Sequence, residues 1–116
     1  MVGQRPRRGE VFWVELNPVV GAETGKTRPA LVIQNDVGNA HAETTIIATI
    51  ASAVATRGYP FLVPLPPGTL SKQSLVNCAH VRTVDLERLK GAAIARLTPE
   101  TMVAVDEALR MSLGLS

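Results

Sequence analysis

Glu23-Thr24-Gly25-Lys26-Thr27-Arg28-Pro29-Ala30-Leu31-Val32-Ile33-Gln34-Asn35-Asp36 joins a polar, glycine-containing loop to a strand that is apolar from Ala30 to Ile33. Proline holds φ near about −65° and has no N–H, which suits the first residue of a strand, and its ring pushes the preceding Arg28 toward extended geometry. Two cations, Lys26 and Arg28, therefore stand at the mouth of a rigid element, and Arg28 is aimed. Asn35-Asp36-Val37-Gly38-Asn39 is turn chemistry with room for one helical turn.

Upstream, Val11-Phe12-Trp13-Val14-Glu15-Leu16 is a β-rich run closed by Asn17-Pro18. The connection 17–28 is about a dozen residues long, more than a simple hairpin needs, and loops of that length are often functional. Downstream, Thr44 to Ala51 is a continuous β-branched and apolar run, and Tyr59 to Leu65 is a strand bounded by Gly58 and Pro66-Pro67-Gly68. Leu75 to Val81 reads as a strand with a polar side, Asp85 to Arg88 as a short turn, and Ala92 to Ala95 as a weak strand. Phe12 and Trp13 point to opposite faces of their strand. Core packing is the expected role of each, and base stacking the alternative.

The last element has a different period. Thr98-Pro99-Glu100 supplies an N-cap, a proline at the first helical position and an acid in the first turn. Met102, Val105, Leu109 and Leu113 then recur at helical spacing, Asp106 and Arg110 form an i,i+4 pair, and Gly114 stops the helix. Five or six short strands followed by one helix predict a mainly β (α+β) fold, a small, strongly curved antiparallel barrel with the helix packed on it. No repeat or linker divides the chain, so 1–116 is read as a single domain.

Composition sets limits on function. The chain has 116 residues, 3% aromatics and a net charge of +2, so its thin core is aliphatic and whole-chain basicity is no argument for nucleic acid. The distribution of charge says more. No carboxylate lies between Glu43 and Asp85, a stretch holding Arg57, Lys72, His80 and Arg82, which with Lys26 and Arg28 can line a phosphate-binding surface. Arg5, Arg7 and Arg8 read as a solvated, frayed basic end. Cys78 is the only cysteine and is read as a buried strand residue in a reducing compartment. With no apolar leader or spanning segment, a soluble, cytoplasmic protein is expected.

P-loop, Gly-x-Ser-x-Gly and His-Glu-x-x-His motifs are absent, and His41, His80 and Cys78 do not make a zinc set. No metal or other cofactor is expected. What remains is cation chemistry at a strand mouth. RNA carries its own nucleophile, the 2′-hydroxyl, so a cleaving protein has only to align it, move a proton and stabilise the charge of the phosphorane. Arginine suits the last task, because its planar fork donates two hydrogen bonds to phosphate oxygens and stays protonated. The same property makes Arg28 a poor general base, which assigns it electrostatic stabilisation.

Five segments in order, Arg8-Gly9-Glu10-Val11-Phe12-Trp13-Val14, Gly25 to Asp36, Tyr59-Pro60-Phe61, Val81-Arg82-Thr83-Val84-Asp85 and Ser112-Leu113-Gly114-Leu115, resemble the MazF/PemK family of toxin endoribonucleases. The resemblance spans nearly the whole chain. It implies a CcdB/PemK-type SH3-like barrel, a homodimer, and metal-independent cleavage of single-stranded RNA at short sequences, leaving a 2′,3′-cyclic phosphate and a 5′-hydroxyl. It also implies an antitoxin whose C-terminal segment occupies the RNA groove.

Carried over residue by residue, the family's catalytic arginine falls on Arg28 and its catalytic threonine on Ala51, which has no hydroxyl. Ser52, next in sequence, is the favoured substitute; Thr49, two residues back on the same strand face, is the other. His80 stands where relatives commonly carry glutamine, and histidine is the side-chain type suited to proton transfer near neutrality. The candidate catalytic set is thus Arg28, Ser52 and His80, with Glu23, Thr24, Lys26, Thr27, Thr49 and Arg82 as candidate RNA contacts. The alternative is a weakened or non-enzymatic module on the same fold that binds RNA, an antitoxin or a protein target such as gyrase. Ala51 favours it; Gly25-Lys26-Thr27-Arg28-Pro29 favours the enzyme.

Overall fold

The computed structural model describes residues 5–17, 21–22, 26–52 and 60–115. Its elements are β1 (Glu10–Glu15), β2 (Thr27–Val32), α1 (Asp36–His41), β3 (Thr44–Ser52), β4 (Leu62–Pro64), β5 (Ser74–Asp85), a 3₁₀ turn (Leu86–Arg88), β6 (Leu89–Arg96) and α2 (Pro99–Leu113). The six strands form one antiparallel sheet in the order β4-β5-β3-β2-β1-β6. This is the mainly β fold with a C-terminal helix that the sequence predicts, but the barrel is not closed. Among the described residues no ladder joins the edge strands β4 and β6.

Each face of the sheet has its own aliphatic cluster, as strand alternation requires. Val11, Leu31, Ala48, Ile50, Val76 and Cys78 pack with Val105 and Ala108 of α2, while Phe12, Val14, Leu16, Ala30, Val32, Ile47 and Val84 form the second cluster. Phe12 is core and Trp13 is 45% exposed. The helix is capped as expected, with Thr98 Oγ1 accepting from the Thr101 N–H and Gly114 at φ +72°. Its buried residues are Thr101, Val105 and Ala108; Met102 and Leu109 lie at the margin of the cluster and Leu113 is exposed. The last turn runs past the core.

Several polar expectations are corrected. Asp106 does not pair with Arg110. It meets Arg8 Nη2 at 2.7 Å, and Arg110 pairs instead with Glu107. Arg8 is far from a frayed end: its Nε donates to the Ile33 carbonyl and its backbone N–H to Asp36, so one residue ties the segment just after β2, α1 and α2 together. Arg5 likewise donates to the Asn39 and Ala42 carbonyls. β2 begins at Thr27, placing Pro29 inside the strand. β4 is shorter than the predicted strand, Tyr59 lying outside the described residues, whereas β5 and β6 run on into residues 82–85 and 89–91, where charged and polar side chains break the apolar pattern.

Behind the 34–39 turn lies a satisfied polar centre. Asn35 caps α1 by accepting from the Gly38 N–H. Buried Asn39 accepts through Oδ1 from Gln34 Nε2 and Thr45 Oγ1, and donates through Nδ2 to the Gln34 carbonyl and Asp36. The Arg8 N–H and the Asn39 amide hold the Asp36 carboxyl below its ordinary value. Its stabilising contribution is therefore present above the ordinary carboxylate range and is lost as pH falls through the lowered value. Asn39→Ala leaves the buried Thr45 hydroxyl without its acceptor, at a cost of about 1–3 kcal/mol. A lower urea midpoint at unchanged m-value is the expected reading, and an unchanged midpoint refutes it.

Candidate nucleic-acid groove

β2 pairs with β1 from Thr27 onward but with β3 only from Ala30. Proline has no N–H to give to a ladder. Where the proline interrupts pairing, β2 and β3 separate. Extending their register by two residues sets Arg28 opposite Ala51, the position at which the resemblance calls for threonine. A groove of about 870 Å³ opens there, lined by Lys26, Thr27, Arg28 and Pro29 from one side and Ile50, Ala51 and Ser52 from the other.

Local chemistry fixes the lips of this groove. Lys26 has φ +65°, a left-handed conformation costly for a side chain with a Cβ. It is held there by the Asn17 side chain, which accepts from the Lys26 N–H at 2.9 Å, and by the Leu16 N–H, which donates to the Lys26 carbonyl at 2.8 Å. On the far side, the Pro67-Gly68 turn, with Gly68 at φ +85°, folds the β4–β5 loop onto the groove. Thr69 donates to the Pro66 carbonyl through both N–H and hydroxyl, Gln73 Nε2 donates to Leu65, and Ser74 Oγ donates to Lys72. This loop contributes Thr69, Ser71 and Lys72 to the lining. Among the described residues, the lining includes three cations, Lys26, Arg28 and Lys72, and no carboxylate.

The candidate residues divide between two places. Arg28, Ser52, Lys26 and Thr27 share the groove; Thr49, His80 and Arg82 line a second cavity of about 360 Å³ with Leu16, Ala22, Ala79 and Val81. Thr49 is buried, so it does not replace the missing hydroxyl in the groove. Ser52 is exposed and still within β3, opposite Ser74. His80 belongs to a bulge: Ala48 pairs with Val81 but the next residue, Thr49, pairs with Asn77, leaving Cys78, Ala79 and His80 on β5 without counterparts. The Asn77 side chain accepts from the Ala79 N–H at 3.0 Å and so shapes the bulge. Arg82 is half-buried, and its Nη1 donates to the Leu16 carbonyl at 2.6 Å, binding β5 to the end of β1. Glu23 and Thr24, and Arg57, lie outside the described residues.

Sequence reasoning counted Lys72 only in a general phosphate-binding surface and gave base stacking by Trp13 only as the alternative to core packing, without naming either as a site residue. The signals were present: a Pro-Pro-Gly turn before Lys72, and an aromatic directly across the β1–β2 ladder from Pro29. Cys78 is buried beneath the bulge, and burial, reinforced by Asp106, pushes its thiol up to about 11. That thiol is a structural residue. Among the described residues, no group of three His, Cys, Asp or Glu side chains is placed to hold a metal.

Residues 7–113 match the model of the PemK-like, MazF-like toxins of type II toxin-antitoxin systems. The chain belongs to this family. It is 40% identical to the Endoribonuclease EndoA of Bacillus subtilis (strain 168), over 94% of this chain and 95% of the relative. It is 38% identical to the Endoribonuclease MazF of Staphylococcus epidermidis, over 95% of this chain and 92% of the relative. Among solved structures, MazF from Deinococcus radiodurans superposes with a TM-score of 0.83 at 27% identity, covering 97% of this chain and 99% of that one. An endoribonuclease from Mycobacterial species, solved in complex with its cognate antitoxin, gives 0.79 at 25% identity over 96% and 97% of the two chains.

The left-handed Lys26 yields a prediction. Lys26→Gly relieves backbone strain of about 1 kcal/mol while removing a groove cation. The urea midpoint is expected to hold or rise while nucleic-acid affinity falls and its dependence on salt weakens; a fall in both stability and affinity refutes the account.

Proposed function

We propose that this chain is a toxin endoribonuclease that cleaves single-stranded RNA at a short sequence by attack of the 2′-hydroxyl. The carrying observation is the groove at the β2–β3 divergence, where Arg28 and Ser52 stand together with Lys26 and Lys72. Membership of the family and similarity to proteins named endoribonucleases support the same reading. The 2′-oxygen attacks the neighbouring phosphorus and the bond to the 5′-oxygen breaks, leaving a 2′,3′-cyclic phosphate and a 5′-hydroxyl. Arg28 stabilises the equatorial charge, the Ser52 hydroxyl donates to a non-bridging oxygen, and the lysines hold adjoining phosphates. Among the described residues no imidazole or carboxylate lines the groove; the proton of the 2′-hydroxyl passes to water or to His80 from the neighbouring cavity, and the departing 5′-oxygen takes up a proton from water.

The enzyme acts in the cytoplasm as a homodimer and is neutralised by an antitoxin whose C-terminal segment fills the groove. Exposed Val103, Met111, Leu113 and Leu115 along and beyond α2 are suited to burial against a second copy. Ala51 favours a second reading, a weakened relative that binds RNA without appreciable turnover.

Incubation with a long, weakly structured RNA in EDTA, with ends mapped by primer extension, separates the readings. Discrete cuts are expected, reduced on the order of 10²–10³-fold in Arg28→Ala and not restored in Arg28→Lys, which lacks the bidentate fork. Absence of cuts across varied RNAs sinks the enzymatic reading. Ala51→Thr is expected to raise the rate and Ser52→Ala to lower it. For proton transfer, His80→Gln flattening the pH profile near neutrality assigns the step to His80, and an unaltered profile assigns it to water.

A further inference from the structure

The groove has a second end that the phosphate chemistry does not use. Trp13 is 45% exposed and Ile94 is 40% exposed, and both line the groove that holds Arg28 and Lys72. An indole left in water at the middle of a strand is unusual, because neighbouring Val11, Phe12 and Val14 are all buried. Its setting is built. Trp13 lies directly opposite Pro29 across the β1–β2 ladder, so the two side chains share a face. On its other flank, β6 bulges: Val11 pairs with Ala95 and Trp13 with Lys90, so Gly91, Ala92, Ala93 and Ile94 all stand against Phe12 alone. Gly91, at φ +75°, permits this detour. The small residues leave room while Ile94 reaches the groove.

We propose that Trp13, flanked by Pro29 and Ile94, is a stacking platform for one unpaired nucleobase of the bound RNA. The inference rests on the RNA-binding reading of the groove and adds which part of the nucleotide goes where. Lys26, Arg28 and Lys72 take the backbone, and among the described residues the lining has no carboxylate to repel it. A polynucleotide held by its phosphates turns its bases toward whatever apolar surface adjoins them, and an aromatic face stacks any base. A duplex cannot use this platform, since its base faces are already covered.

Trp13 is the chain's only tryptophan, so intrinsic fluorescence reports on it alone. The probe is a short mixed-sequence 2′-O-methyl RNA, which resists attack by its own 2′-oxygen and separates binding from chemistry. A strand of equal length with abasic sugars carries the phosphates without the bases. The base-bearing strand is expected to quench the emission and the abasic strand to leave it unchanged. Trp13→Ala should weaken binding on the order of 10-fold, with Trp13→Phe retaining most of the affinity. Quenching equal for both strands, unchanged emission on binding, no binding of the base-bearing strand, or equal affinity in Trp13→Ala each overturns the platform. Circular dichroism and urea midpoints establish that both variants fold. Cuts lost in Arg28→Ala with no quenching sink the platform alone, whereas quenching without any cuts sinks the catalytic reading alone.

Discussion

The missing amide hydrogen of Pro29 is the constraint on which the site depends. β2 is central in the sheet, and a central strand is normally paired on both sides along its length. Here pairing to β1 runs through Pro29 and pairing to β3 stops at Ala30. The strands are thereby stitched together over their buried half, Ala30 to Val32, and released over their exposed half. Arg28 gains a groove to project into without leaving a rigid element, and β3 presents Ala51 and Ser52 across the gap. The opening and the fixed cation have one cause.

Two bulges then decide what surrounds that opening. On β5 the extra residues 78–80 carry His80 to the neighbouring cavity; on β6 the extra residues 91–94 deliver Ile94 beside Trp13. These devices explain how much could be read beforehand. The strand order along the chain, the helix with its caps and the run Lys26-Thr27-Arg28 were legible, because each depends on local chemistry or on adjacent residues, while Ser52 joined them through the family resemblance. His80 was grouped with Arg28 through its place in the family pattern, which says nothing of the bulge that carries it to the neighbouring cavity. The Arg8–Asp106 pair spans 98 positions, so no local rule reaches it. Lys72 comes to the groove through the turn at Gly68, whose consequence depends on what lies across from it.

Ala51 gains meaning from this geometry. A hydroxyl at that position would face Arg28 across the divergence, whereas Ser52 occupies the next position on the same strand and alternation turns it to the other face. Both positions nonetheless line the groove, because the missing β2 partner leaves this end of β3 accessible. In the proposed mechanism, loss of the threonine at this position leaves Ser52 as the nearest described hydroxyl on β3 to meet the phosphate, by a different approach, beside Arg28.

The division of labour in the groove also bears on recognition. Phosphate contacts position a strand without reading it, and a stacking platform accepts every base, so neither the cations nor Trp13 can by themselves define a cleavage word. What they define together is the state of the substrate. A base can lie on the indole only when it is unpaired and unstacked from at least one neighbour, and the adjoining phosphate can meet Arg28 only when the backbone turns with it. The same rotation moves a 2′-hydroxyl out of its helical position toward the in-line geometry that cleavage requires. Under the proposed function, selection for single strands and alignment for attack would both follow from one arrangement of Trp13 and Arg28 on neighbouring strands.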